Sequence, residues 1–291
     1  MNKNNTENWV ILLILSIIWG SSFILMKKSL ISFTYIEVGF LRLIIAFLAL
    51  SPFLTSSLKR LKAIYIAPLL LVSIVGTVIP AILFAFAQTY LNSANTGMLN
   101  ALTPIFTLII GFILFKKKIN NQGFLGILMG LIGTYILLLP SNIDIANTKY
   151  SIIVIVATIC YAISINTIKE KLRDLGPLDI AVLSSLFSFI IPIGYIIQQG
   201  FFVTINKISA NIFPFLYIIV LGLICTSFAI ILFNYLIKKT SAIFGSSTTY
   251  LIPIFAIIWG LIDNETIQNH EIIGMLIILF GVFIMNYIKL E

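Results

Sequence analysis

Apolar residues along this chain come in long runs separated by short polar stretches. A helix needs roughly 20 apolar residues to cross about 30 Å of hydrocarbon. Unpaired backbone is too costly in lipid for a loop to cross it, so each run is read as a helix. The runs predict ten transmembrane helices: Trp9–Met26, Tyr35–Leu54, Ile64–Ala87, Asn95–Phe115, Gly123–Leu139, Tyr150–Ile168, Leu178–Gln198, Phe213–Ile237, Ala242–Ile262 and Ile272–Ile288. The connections between them are short, so no soluble domain is expected. The first run is longer than a signal-peptide core and no small-residue cleavage site follows it, so it is read as a retained helix.

Composition agrees with an all-α membrane protein. Of 291 residues, 60% are hydrophobic and 10% charged, against about 25% charged in a soluble domain. So much apolar surface cannot be hidden in one soluble core, whereas the lipid bilayer accepts it. The net charge of +8 sits in short tracts between runs, where topology explains it better than nucleic-acid binding does. No nucleic-acid partner is expected.

The basic tracts alternate from side to side. One set of loops holds Lys59, Arg60 and Lys62; Lys116, Lys117 and Lys118; Lys169, Lys171 and Arg173; and Lys238 with Lys239, with Lys3 and Lys289 at the termini. The other set holds only Lys27, Lys28, Lys149 and Lys207. Short cytoplasmic loops are the ones enriched in Lys and Arg, so both termini are placed in the cytoplasm.

The two halves repeat one another. At an offset of about 149 positions, Leu102-Thr103-Pro104-Ile105-Phe106 falls on Leu251-Ile252-Pro253-Ile254-Phe255, Gly111 on Gly260 and Thr77 on Thr226. A one-residue shift then aligns Gly126 and Gly133 with Gly274 and Gly281. At a shorter offset, Trp19-Gly20-Ser21-Ser22-Phe23 faces Tyr161-Ala162-Ile163-Ser164-Ile165. Five helices per unit is an odd number, so the second unit enters the membrane upside down. Inverted repeats of this kind are a recurring plan of secondary transporters, with the site near the midplane.

Two such units resemble the EamA family of the drug/metabolite transporter superfamily. The resemblance rests on Trp19-Gly20-Ser21-Ser22-Phe23 on the first helix, Phe40-Leu41-Arg42-Leu43 on the second, and Thr103-Pro104-Ile105-Phe106 with Ile252-Pro253-Ile254-Phe255 on the fourth and ninth. It covers nearly the whole chain, with one EamA-like repeat at 1–140 and the other at 141–291. It implies a ten-helix inverted-repeat carrier of the bacterial inner membrane, multi-pass. Similar proteins export amino acids or related metabolites and others take drugs, and the resemblance does not carry a substrate over; amino acids lead here because Arg42 and the Asn100/Thr249 pair could address a carboxylate and an amine.

A carrier replaces its substrate's water with polar groups on inner helix faces, each costly in lipid unless paired or wetted. Deep polar residues are therefore the site candidates. Arg42 is the only basic residue well inside a span; it either binds a substrate carboxylate or snorkels and ties helix ends together. Trp19 and Ser22 either line a cavity or pack helices closely, and Tyr161 is their counterpart in the second half. Pro104 and Pro253 free the carbonyls four residues back, on Asn100 and Thr249. Asn100, Thr103, Thr249 and Tyr250 thus flank two matched helix breaks, which either line the cavity or are kinks healed by neighbours. Asn234 and Tyr235 stand where the first half has Ala85 and Phe86, and complete the candidates.

Other chemistries are excluded. The lone His270, and Cys160 and Cys225 within apolar runs, offer no metal-ligand spacing and no nucleophile with a base. No enzyme, no metal and no cofactor is therefore expected. Glu37 and Asp179 are the only carboxylates in spans and both lie near ends, which disfavours a buried proton relay. The expected partners are a small-molecule substrate and the lipid bilayer. A lipid-moving protein, or a nucleotide-sugar or drug carrier of the same fold, is the alternative.

Overall fold

A computed structural model describes residues 3–117, 119, 121–137, 139 and 145–287. Lys118 and Lys289, the expected repeat boundary at 140/141 and the last residue of the expected tenth helix lie outside the described residues. Those described are helical, with no strand among them. Eight helices are long and apolar enough to cross a membrane: α1 Thr6–Ser29, α2 Tyr35–Leu58, α3 Ala63–Ala87, α4 Ser93–Phe115, α6 Lys149–Lys171, α7 Pro177–Gln199, α8 Ile212–Lys239 and α9 Ala242–Ile262. Two further apolar helices, α5 Asn121–Leu137 and α10 Asn269–Gly281, are shorter.

Local chemistry starts several of these helices. Thr34 and Glu37 form a reciprocal capping box at the head of α2. Asn92 accepts from the Asn95 amide to cap α4. Pro177 opens α7, where its missing N–H is no loss. Beyond α7 the chain forms a separate helix, Phe201–Ala210, which the apolar runs do not predict because it is not one of them.

Five helices depart from regular α geometry: α2 has a 3₁₀ turn at Ser51–Phe53 near its end, and the other four fall in matched pairs. α3 carries a π turn at Ile74–Val78 and α8 one at Leu223–Phe228. α4 is interrupted at Ala101 and Leu102, just before Pro104. α9 passes through a 3₁₀ turn at Ser247–Tyr250 before Pro253.

Packing follows a matching pattern. α1 packs on α8 and α9, while α6 packs on α3 and α4; α2 packs on α7. α5 and α10 form a pair whose glycines let the backbones touch. A Cβ added to Gly274 would lie 2.6 Å from the Gly133 carbonyl oxygen, and one added to Gly133 would lie 2.7 Å from that of Gly274. This is close helix approach through small residues, as membrane helices use it.

Ion pairs tie the helix ends together. At one end, Lys27 Nζ reaches both Asp263 Oδ2 and Glu265 Oε1 at 2.8 Å, and Lys28 pairs with Asp263. Glu265 is buried and also accepts from the Ser93 and Ala94 amides at the head of α4. Lys207 pairs with Glu37 at 2.6 Å. At the other end, Arg60 pairs with Asp179 at 2.8 Å and Lys117 with Glu170 at 2.7 Å. The turns after α4 and α9 both use a left-handed residue, Lys116 (φ 54°) and Asn264 (φ 58°). The next amide in each then bonds back, Lys117 to the Gly111 carbonyl and Glu265 to that of Gly260.

Burial pushes the Glu265 carboxyl up, but the Lys27 ammonium and the Ser93 and Ala94 amides outweigh it and hold the group below its ordinary 4.5. The Lys27 and Lys28 ammoniums lower Asp263 likewise. A depressed folded-state value means that this stabilisation is fully present above the ordinary value and lost as pH falls through the folded one.

Two outcomes are expected. Gly274→Ala should destabilise the purified protein by about 1–3 kcal/mol through overpacking. Gly194→Ala, where an added Cβ meets nothing within 4 Å, should be neutral or stabilising; thermal unfolding in detergent compares the two. The unfolding midpoint of the wild type should also fall more steeply than that of Glu265→Gln as pH drops from about 5 to about 2, through and below the ordinary carboxylate value. Parallel slopes would mean that the Glu265 cluster contributes no acid sensitivity.

Candidate functional site

The broken helices surround a cavity of about 130 Å³ at the centre of the bundle. Each irregular turn contributes to its wall. In the π turn of α8, the Cys225 carbonyl accepts from Trp19 Nε1 on α1 at 3.0 Å. Thr226 beside it donates to the carbonyl five residues back, on Leu221, at 2.7 Å. In the π turn of α3, Thr77 points to the Val72 carbonyl, again five back, at 3.4 Å. A π turn takes a carbonyl off the helical ladder, and here hydroxyl and indole groups satisfy what it leaves.

Arg42 enters the same cavity from α2. Its Nε and Nη2 both donate to Thr226 Oγ1, at 3.2 and 3.0 Å. No carboxylate pairs with it among the described residues, and none lines the cavity. The Thr226 hydroxyl is thus held between a carbonyl to which it donates and a cation from which it accepts.

The sequence candidates divide cleanly by position. Trp19, Ser22, Arg42, Asn100, Thr103, Tyr161, Asn234 and Thr249 line the cavity. Trp19 meets the edge of Phe233 at 4.9 Å, and Tyr161 stacks on Phe84 at 5.6 Å. Ser22 donates to the Trp19 carbonyl at 2.6 Å. At the helix breaks, Thr103 Oγ1 donates to the Asn100 carbonyl and Thr249 Oγ1 to that of Ser246, each at 2.8 Å. The carbonyl that Pro104 frees on Asn100 is therefore met by a hydroxyl three residues on. Asn234 is buried and reaches the Pro177 carbonyl at 3.4 Å.

The other four candidates stand behind the wall or outside it. Pro104 and Pro253 are buried at the breaks without lining the cavity. Tyr250 packs into the central apolar core. Tyr235 projects outward, 38% exposed, with its hydroxyl on Glu7 at 2.9 Å. It follows Asn234 directly on a helix, so the two neighbours cannot share one face.

Several wall residues were not among the candidates: Thr77, Ser164, Ser184, Cys225 and Thr226, with Phe23 and Phe84. The register that sets Thr77 against Thr226 was visible in the sequence. Nothing in the residue types, however, announces a π turn.

Among the described residues no group of His, Cys, Asp and Glu could hold a metal ion. Among the described residues the wall has hydroxyls and a thiol but no His, Lys or carboxylate beside them.

Known proteins agree on the type of molecule. A model of the EamA-like transporter family matches residues 8–139 and again 148–287. An uncharacterized transporter of Archaeoglobus fulgidus is 23% identical over 96% of this chain and 98% of its own. The uncharacterized inner membrane transporter YedA of Escherichia coli is 23% identical over 94% of this chain and 88% of its own. A solved crystal structure superposes with a TM-score of 0.66 over 98% of this chain and 99% of that one, at 12% identity, which speaks for the fold alone. With the family model covering nearly its whole length in two passes, the chain belongs to the EamA-like transporter family and is a multi-pass membrane transporter, not an enzyme.

Proposed function

We propose that the protein is a secondary transporter that exports amino acids or related small polar metabolites by alternating access. The observation that carries this reading is the cavity itself, ringed by irregular backbone from matched positions of α3, α8, α4 and α9. Broken helices near the midplane are where such carriers bind cargo.

The proposed architecture is ten transmembrane helices in two inverted repeats, 1–140 and 141–291, with both termini in the cytoplasm of a bacterium's inner membrane. Three observations support it. The family model matches twice, once per proposed repeat. The two π turns and the two glycine-anchored turns after α4 and α9 recur at the proposed offset of about 149 positions. The end ties recur too: Glu37–Lys207 at one end corresponds to Asp179–Arg60 at the other, and Lys28–Asp263 to Glu170–Lys117 with the signs reversed. In alternating access these ties at the two ends would open in turn.

Cavity size favours a small cargo. A water needs at least about 10–15 Å³ of such space, so 130 Å³ holds roughly ten heavy atoms. This size suits an amino acid better than a nucleotide-sugar or a lipid.

Counterflow in proteoliposomes with a mixed panel of labelled metabolites tests the reading, with selective exchange of a small metabolite expected. Asn100→Leu and Thr249→Leu should each lower that exchange at least about tenfold, as loss of a polar contact in a water-poor site does, while membrane insertion is unchanged. Near-normal exchange in both variants would remove the helix breaks from the site.

A further inference from the structure

The donors and acceptors of the cavity wall do not balance. Arg42 brings five N–H donors and a fixed positive charge. Its partner among the described residues is one hydroxyl, Thr226, which engages Nε and Nη2 and leaves Nη1 unmet. Asn100 is 5% exposed; its Oδ1 accepts from Thr103 at 3.3 Å, while its amino group has no partner among the described residues. Ser164, also 5% exposed, and the Tyr161 hydroxyl likewise have none. Against these surplus donors the wall offers no carboxylate.

We infer that the group this site reads is a carboxylate, and that its cargo is a small organic acid with an apolar body, the α-amine being dispensable. This inference rests on the transport reading for its setting but makes a separate claim about chemistry. A lone guanidinium suits a carboxylate, which takes two parallel N–H bonds from it. The Asn100 amide and the Ser164 and Tyr161 hydroxyls are donors for the remaining oxygens. An ammonium group finds no anionic partner in the wall, so it adds no charge pairing. The rest of the wall, with Trp19, Phe23, Phe84 and Phe233, suits a hydrocarbon or aromatic side chain.

Thr226 is then a positioning residue. Its own proton is committed to the Leu221 carbonyl at 2.7 Å, so its oxygen faces Arg42 as acceptor only. That fixes the guanidinium with its far edge toward the cavity. Serine keeps this geometry; valine removes it.

Three probes of similar size separate the readings: leucine, the oxo acid in which a ketone replaces its amine, and leucinamide, in which an amide replaces its carboxylate. Binding is read twice, as thermal stabilisation of purified protein in detergent and as competition for counterflow in vesicles. Leucine and the oxo acid should bind within about threefold of one another, and leucinamide at least about tenfold more weakly, the effect of removing one charge-assisted pair. Arg42→Gln should erase that preference, Arg42→Lys restore part of it, and Thr226→Val weaken it where Thr226→Ser does not. Leucinamide binding as tightly as the oxo acid to the wild type would overturn the inference, a result that needs no variant to fold. Stabilisation by the acids without vesicle exchange would uphold the carboxylate site and sink the transport reading. Exchange that ignores the carboxylate would do the reverse.

Discussion

Hydrocarbon offers no hydrogen-bond partner, so every backbone group inside it must be met by the protein itself. Most of this chain answers with unbroken helix. Among the described residues, apart from the 3₁₀ turn at Ser51–Phe53 near the end of α2, the exceptions are two π turns and two breaks before proline. All four contribute to the wall of one cavity. Irregular backbone is tolerable there because side chains on neighbouring helices complete it, as Trp19 does for the Cys225 carbonyl and Thr103 for that of Asn100. The cavity and the broken helices are therefore one feature. Straightening the helices would leave the wall without its polar groups.

Charge obeys the same constraint. Lysines and carboxylates at the helix ends pair with one another, and Glu265 gathers both Lys27 and two backbone amides. Arg42, well inside α2, has a hydroxyl and no anion as its partner among the described residues. A cation within a span costs about 2.5–3.5 kcal/mol on insertion scales, which a hydroxyl partner offsets only in part. A group so placed is stabilised most by a visitor of opposite charge, which makes the empty form the less stable one. Binding and stability are then linked, because a ligand that meets only the folded chain raises its stability by mass action.

Much of this was legible in the sequence, and the limits have physical causes. Long apolar runs declare helices because lipid permits nothing else. The helix breaks could be read because proline removes a hydrogen bond wherever it sits. Depth in a run located Arg42, Asn100 and Thr249. What could not be read is which way a side chain turns. Asn234 and Tyr235 are equally deep and polar, yet only Asn234 meets the cavity. The π turns left no signature either. Thr77 and Thr226 are ordinary helix residues by type, and only their matched register marks them. The extra helix at Phe201–Ala210 escaped because it is not one of the long apolar runs.

No carboxylate lines the cavity among the described residues, which bears on energy as well as recognition. Proton-coupled carriers commonly use intramembrane Asp or Glu to carry the coupling charge. A cargo that is itself an anion carries its own. A cell interior held negative repels it outward, with about 2.3 kcal/mol per elementary charge for each 100 mV. The fixed cation of Arg42 would lower the barrier for that charge at the membrane centre without itself crossing. The direction comes from the membrane potential, because inward movement of the same anion works against it. In such a carrier the single unpaired arginine and the missing carboxylates are two halves of one arrangement: the protein supplies the site's charge, and the cargo supplies the charge that moves.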